Sequence, residues 1–90
     1  MGISSYMDVT SNYGIVQLIT PPEFNGKSLS DVGFGPKGKW EVAVLLIQRG
    51  KEVIIHPGQG DTVKPGDTLI LSGSDDNLEK LMTWMQKNKS

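Results

Sequence analysis

A glycine-rich loop is the first place in this sequence where residue types and spacing could do chemistry. Residues 33–38, GFGPKG, have the G-x-G-x-x-G spacing of a dinucleotide-binding loop, and Lys37 and Lys39 could attract phosphate. A dinucleotide-binding loop follows a strand and opens a helix, whereas this loop follows a predicted helix and precedes a predicted strand. The context therefore favours a flexible connecting loop, with Phe34 as an apolar plug at its base.

The single histidine, His56, is the second candidate. Metal sites usually need several histidine or carboxylate ligands, and Asp61 and Asp67 are separated from His56 by turns without a metal-binding spacing. A serine nucleophile has no G-x-S-x-G elbow to hold it. We therefore predict no catalytic residue, no enzyme activity and no metal site. His56 is interpreted as a strand-end histidine, with contact to a ligand as the alternative.

Composition narrows the classes of protein. The chain has 90 residues, with 9 basic and 10 acidic side chains, a net charge of −1 and no cysteine. Such balanced charge is not typical of a nucleic-acid-binding surface, and a disulfide framework is excluded. The longest apolar run covers residues 42–47, far short of the roughly 20 residues of a membrane helix, so we expect no direct insertion into a membrane.

The elements that must position these residues are strands, with two helices. Residues 1–13 are polar and lack a clear period, so we predict a linker or N-terminal arm there and one domain over 14–90. Periodicity and capping residues predict strands at 15–20, 40–48, 52–55 and 68–71 and helices at 25–32 and from Ser74 onward. This order predicts an α+β fold: a small antiparallel β-sheet meander, a short helix after the first strand, and a C-terminal helix packed on the sheet.

The strand at 40–48 is apolar on both faces. Alternation would place Val42, Val44 and Leu46 on one face and Ala43, Leu45 and Ile47 on the other. In a small antiparallel domain one face normally meets water, so a second subunit is the natural cover for the other apolar face. The strand therefore predicts a homodimer.

The order of several turns resembles that of the TrkA C-terminal domain family, also called RCK_C. The resemblance covers roughly residues 14–86. It depends on the segment 26–29 (GKSL), Arg49-Gly50 at a strand end, Ile54 with Pro57, and the type II turn 64–67 (KPGD) before Leu69, Leu71 and Gly73. The family implies a cytoplasmic regulatory module of potassium channels, potassium uptake systems or cation/proton antiporters. It also implies homodimers attached to a membrane-embedded channel or transporter portion at the inner face of the cell membrane.

Some members of this family bind cyclic di-AMP between two protomers, which would make it a regulatory ligand rather than a cofactor. By position, the resemblance implies a ligand site made of Ala43, Val44, Arg49, Ile55 and His56. An apolar floor would accept the purine faces and Arg49 would meet phosphate, although Arg49 could equally cap its hairpin. Two departures from the family are a longer loop at 33–39 and no nucleotide-binding domain among these residues.

Two other functions stay open from the sequence. One is a purely structural dimerisation module that binds no ligand. The other is a small β-barrel that binds nucleic acid through glycine-rich turns, which the balanced charge disfavours.

Overall fold

A computed structural model describes residues 2–87 of the chain, so residues 88–90 of the predicted domain lie outside the described residues. The described part is an α+β domain, as predicted, with a sheet of five strands in the order β1-β2-β5-β3-β4 and every neighbouring pair antiparallel. The strands are β1 (Gly2–Thr10), β2 (Tyr13–Ile19), β3 (Ala43–Arg49), β4 (Glu52–Ile55) and β5 (Thr68–Ser74), and the helices are α1 (Leu29–Val32) and α2 (Asp75–Lys87).

The N-terminal residues, for which the sequence predicted a linker or N-terminal arm, form an edge strand of the sheet. β1 pairs with β2 in a register that places Tyr6 beside Val16 and Met7 beside Ile15. Pairing with β2 holds this segment extended despite its polar composition. The division of the chain into residues 1–13 and a domain over 14–90 stays a prediction.

Two contacts attach β1 and its turn to the start of α2. The Tyr6 hydroxyl donates a hydrogen bond to Oδ1 of Asp75, and the Asp75 amide donates to the carbonyl of Asn12 at 2.9 Å. The hydrogen bond to the Asp75 carboxylate raises the pKa of Tyr6 to about 12, because loss of the proton would place two negative charges together. The first strand is therefore held by side-chain contacts as well as by the sheet.

The short helix is shorter than predicted. Residues Pro22–Phe24 form a 3₁₀ turn, and the α-helix begins only at Leu29, after the Ser28 hydroxyl has accepted the Asp31 amide at 3.0 Å. Gly26, with φ of 79°, interrupts the predicted helix over 25–32 because this backbone conformation is not helical. Gly33 ends α1 in the left-handed region, as expected of a C-terminal glycine.

A β-bulge in β3 changes which residues share a face. Val44 pairs with Leu71, but Leu46 pairs with Ile70, so Leu45 is an extra residue and the alternation shifts by one. Because Leu71 is buried and Ile70 lies on the opposite side of β5, Val44 and Leu46 lie on opposite faces. The predicted division of this strand into two faces is wrong for this physical reason.

The core lies between one face of the sheet and α2. In α2, Leu78 and Leu81 are fully buried and Met85 packs against the core, as expected of a C-terminal helix packed on the sheet. Ser74 caps this helix by accepting the Asn77 amide at 3.1 Å. Phe34 is also fully buried, which confirms the predicted plug. Among residues 2–87, neither helix has the length and apolar character required to cross a membrane.

Candidate functional site

The sheet face opposite α2 is apolar, and we call it the open face. The strand registers place seven aliphatic side chains on it: Ile15 and Ile19 of β2, Ile70 of β5, Ala43 and Leu46 of β3, and Val53 and Ile55 of β4. Ile55 is 68% exposed, Val53 51% and Ile19 39%, while the remaining isoleucines and Leu46 are half-buried. An aliphatic surface that spans four strands is typical of a surface that binds another molecule.

The C-terminal end of β3 carries an ion pair that closes the turn before β5. Nε and Nη2 of Arg49 donate to the two carboxylate oxygens of Asp67 at 2.9 and 2.8 Å, and Nη2 also donates to the carbonyl of Thr62 at 3.1 Å. Asp67 is fully buried, whereas the Arg49 side chain is 25% exposed. This forked geometry is the strongest that a carboxylate and a guanidinium can form.

The Asp67 carboxylate has a third donor and a lowered pKa. The Lys64 amide donates to Oδ2 at 2.9 Å, and Gly66 adopts φ of 85° in the type II turn between them. Burial alone would raise the pKa of Asp67, but the hydrogen bonds from Arg49 and from the Lys64 amide outweigh it and hold the pKa below its usual value. The hydrogen bonds to Asp67 raise the pKa of Arg49, which stays charged.

His56 lies just beyond β4 with an unusual backbone. It is exposed, its amide donates to the Leu45 carbonyl at 3.1 Å, and its φ is 51° in the left-handed region. A non-glycine residue in this region costs about 1–2 kcal/mol in local strain. Backbone strain of this kind clusters at sites that bind ligands.

The five predicted ligand residues are not gathered on one surface. Ala43 and Ile55 lie on the open face, whereas Val44 packs against the core and Arg49 faces the buried Asp67. His56 lies at the end of β4. Their joint role in a ligand site stays a prediction. Ile70 is an open-face neighbour of Leu46 that the sequence had not singled out.

The glycines of the G-x-G-x-x-G segment have structural roles in the loop itself. Gly33 caps α1, Gly35 has φ of 107° and donates its amide to the Val42 carbonyl, and a Cβ on Gly38 would lie 2.2 Å from the Gly33 carbonyl oxygen. The loop therefore packs on itself, as a connecting loop does. Within residues 2–87, the acidic and histidine side chains form no cluster of three or more that could hold a metal ion.

Comparison with known proteins decides the family. The sequence profile of the TrkA-C domain matches residues 15–86, from within β2 to the last turn of α2. The chain belongs to the TrkA-C domain family. The predicted recognition is thereby confirmed over nearly the whole range expected, and the GKSL, Arg49-Gly50 and KPGD segments all lie inside the match.

Three relatives of this TrkA-C domain come from potassium transport. Ktr system potassium uptake protein C of Bacillus subtilis (strain 168) is 26% identical over 72 residues, which are 80% of this chain and 32% of the relative. Probable potassium channel protein 2 of Methanocaldococcus jannaschii is 36% identical over 63 residues, 70% of this chain and 18% of the relative. The chain thus spans a third or less of the length of these proteins.

The third is a solved structure, the RCK C domain of the potassium transport protein KtrA in complex with cyclic diadenosine monophosphate. It shares 30% identity with this chain, the TM-score is 0.67, and the match covers 77% of this chain and 79% of the other. The fold and the sequence of the TrkA-C domain are therefore similar to those of an RCK C domain over most of both chains.

Proposed function

We propose that this TrkA-C domain is a non-enzymatic regulatory module of a potassium or cation transport protein. In this proposal it dimerises through its open face, senses cyclic di-AMP at the dimer interface, and works in the cytoplasm at the inner face of the membrane through the attached transporter. The observation that carries the proposal is the 30% identity, over 77% of the chain, with the KtrA RCK C domain bound to cyclic diadenosine monophosphate. Both relatives described above also belong to potassium transport.

The open face supports dimerisation. Ile55, Val53 and Ile19 are 68%, 51% and 39% exposed, and each large aliphatic side chain contributes roughly 1.5–3 kcal/mol when fully buried. A two-fold dimer lets one patch cover its own copy, so a single aliphatic surface suffices. The sequence predicted a second subunit that covers an apolar face of the strand at 40–48. In this proposal the second subunit covers Leu46, Ile55 and Ile70, which are neighbours on the open face.

Ligand binding needs an apolar floor and a phosphate contact. Ala43 and Ile55 supply apolar surface on the open face, where the flat purine rings would lie. Two of the three guanidinium nitrogens of Arg49 already bind Asp67 or Thr62, so its phosphate contact would use only the exposed quarter of the side chain. His56, exposed at the end of β4, is the better-placed phosphate partner.

The second candidate function is a dimerisation module that binds no ligand. The ion pair between Arg49 and Asp67 favours it, because the alternative role of Arg49, capping its hairpin, needs no phosphate. Titration of the chain with cyclic di-AMP, followed by calorimetry and by thermal denaturation, separates the two. Heat of binding and a raised melting temperature support the ligand sensor. If both effects are absent, the ligand-free dimerisation module is supported instead.

Dimerisation itself is tested by sedimentation. We expect the wild-type chain to sediment as a dimer and Ile55→Glu to sediment as a monomer, because a carboxylate would be buried in the interface. Gln86→Glu, on the exposed surface of α2, adds the same charge and should leave the dimer intact. A wild-type chain that is monomeric at high micromolar concentration would contradict both candidate functions.

A further inference from the structure

A second surface lies on the opposite side of the sheet, beside α2. Lys80, Trp84 and Lys87 follow one another along one side of the helix, and Lys39 and Trp40 from the loop before β3 form the facing wall. Between them is a groove of about 400 Å³, with Glu79 at its rim, and we call it the basic groove.

Aromatic packing makes this groove rigid. Trp84 stacks on the buried Phe24 with ring centroids 6.1 Å apart and contacts Trp40 at 5.6 Å. The Trp40 indole donates its N–H to the Val32 carbonyl at 3.2 Å, which fixes the ring. A wall of this kind loses little entropy when a ligand binds.

Charge is concentrated in the groove. The three lysines and Glu79 give a local charge of +2, whereas the whole chain has a net charge of −1. The ammonium of Lys39 lies 4.8 Å from the Trp40 ring centroid and 5.7 Å from that of Trp84, so a positive charge is held directly over the aromatic wall. An occupant that combines negative charge with apolar side chains complements this surface.

We propose that the basic groove binds an acidic, extended segment of a partner protein. The seven-residue step from Lys80 to Lys87 spans about 10 Å along the helix, which is the length of about three residues of extended chain. Carboxylates of the segment would meet Lys39, Lys80 and Lys87, and an apolar side chain between them would lie on Trp84. Glu79 would accept a main-chain N–H from the same segment.

The number of cations favours a polypeptide over other anions. Recognition of an anionic membrane typically uses four to eight clustered basic residues, and a nucleic-acid surface is usually more extensive still. Three lysines with two indoles suit a short segment instead. Because the open face lies on the other side of the sheet, the basic groove stays accessible in the dimer that we propose.

The test uses the 90-residue chain and a fluorescein-labelled octapeptide of alternating glutamate and leucine, with the lysine–leucine octapeptide as the charge control. We expect saturable binding of the acidic peptide, read by fluorescence anisotropy and by quenching of tryptophan emission. Lys80→Glu/Lys87→Glu should weaken it at least about tenfold. Lys27→Glu/Lys51→Glu changes the net charge equally at exposed positions outside the groove and should change affinity less than about twofold.

Three results would overturn the proposal. They are no saturable binding of the acidic peptide, equal weakening in the two double variants, and tighter binding of anionic vesicles or an oligonucleotide with the same dependence on Lys80 and Lys87. Circular dichroism checks that both variants are folded. If Lys80→Glu/Lys87→Glu does not fold, Lys80→Gln/Lys87→Gln replaces it, since this variant removes the two charges without reversing them. An unchanged affinity of the glutamine variant for the acidic peptide would then overturn the proposal.

Discussion

Replacement of Arg49 by alanine should destabilise the domain strongly. The change removes two of the three donors to the Asp67 carboxylate, at 2.9 and 2.8 Å, and leaves only the Lys64 amide at 2.9 Å. Breaking a buried ion pair by removing one partner costs about 3–5 kcal/mol, since the remaining charge is buried without compensation. Because the Arg49 side chain is 25% exposed and water reaches its side of the pair, we expect the lower end, about 3 kcal/mol.

Thermal and urea denaturation measure this loss. For a domain of this size, 1 kcal/mol lowers the melting temperature by about 4–8 °C, so Arg49→Ala should lower it by about 12–24 °C. Lys51→Ala, which removes an exposed cation from the adjacent turn, is the matched control and should change stability by less than about 0.5 kcal/mol. Arg49→Ala/Asp67→Asn removes both charges and should be more stable than Arg49→Ala alone.

The pH dependence supplies an independent check. In the wild type the folded-state pKa of Asp67 is lowered, so its contribution to stability is present above the unfolded-state pKa of about 4 and is lost as the pH falls through the folded-state value. Without Arg49, burial dominates and the pKa of Asp67 rises, so acidification should stabilise the variant. The stability gap between wild type and Arg49→Ala should therefore be largest near pH 7 and should narrow toward pH 4.

Two results would refute this reasoning. One is a loss of less than about 1 kcal/mol for Arg49→Ala, the value typical of an exposed pair. The other is a gap that does not change with pH. Either result would mean that Asp67 holds the guanidinium only loosely. The phosphate contact that the family resemblance implies for Arg49 would then gain support.

Three further predictions concern single contacts. Tyr6→Phe should lower the melting temperature at pH 7, because it removes the hydrogen bond to Asp75. The wild type should lose stability as the pH rises from about 10 through the Tyr6 pKa of about 12, and thermal scans across this range should show no such loss in the variant. Gly38→Ala should cost about 2 kcal/mol or more in urea denaturation, because its Cβ would lie 2.2 Å from a carbonyl oxygen; Gly60→Ala, with open space around it, should be close to neutral. Glu41→Gly should stabilise the domain by about 0.5–1 kcal/mol in the same assay, since Glu41 has φ of 53°, and no gain would mean that its backbone is unstrained.

Local patterns in the sequence predicted most of the elements. The apolar run at 15–20, the Arg49-Gly50 segment and the helical periodicity after Ser74 each depend on neighbouring residues, so β2, the β3–β4 hairpin and α2 were found close to their observed bounds. The β1 strand was missed because its stability comes from pairing with β2 and from the Asp75 contact, neither of which leaves a local pattern.

The faces of β3 could not be predicted from alternation. A bulge at Leu45 depends on how β3 pairs with β5, and a single extra residue moves Leu46 to the open face and Ile47 into the core. The main contact of the candidate site was missed for a similar reason, because it joins residues that are distant in the sequence. The fork between Arg49 and Asp67 joins residues eighteen positions apart, and the sequence offered only the KPGD turn as a sign that Asp67 had a structural role.

The same ion pair constrains how a ligand could act on this domain. Asp67 joins the end of β3 through Arg49 and the end of β2 through its carbonyl, which accepts the amide and the hydroxyl of Thr20 at 3.1 and 2.9 Å. With these segments fixed, a ligand at the proposed interface would find a protomer that is already rigid, and would act by favouring the dimer over separated protomers. Mass action then requires cyclic di-AMP to lower the dimer dissociation constant in proportion to its occupancy. Sedimentation across a ligand series measures this, and tight ligand binding with an unchanged dimer dissociation constant would place the ligand within one protomer instead.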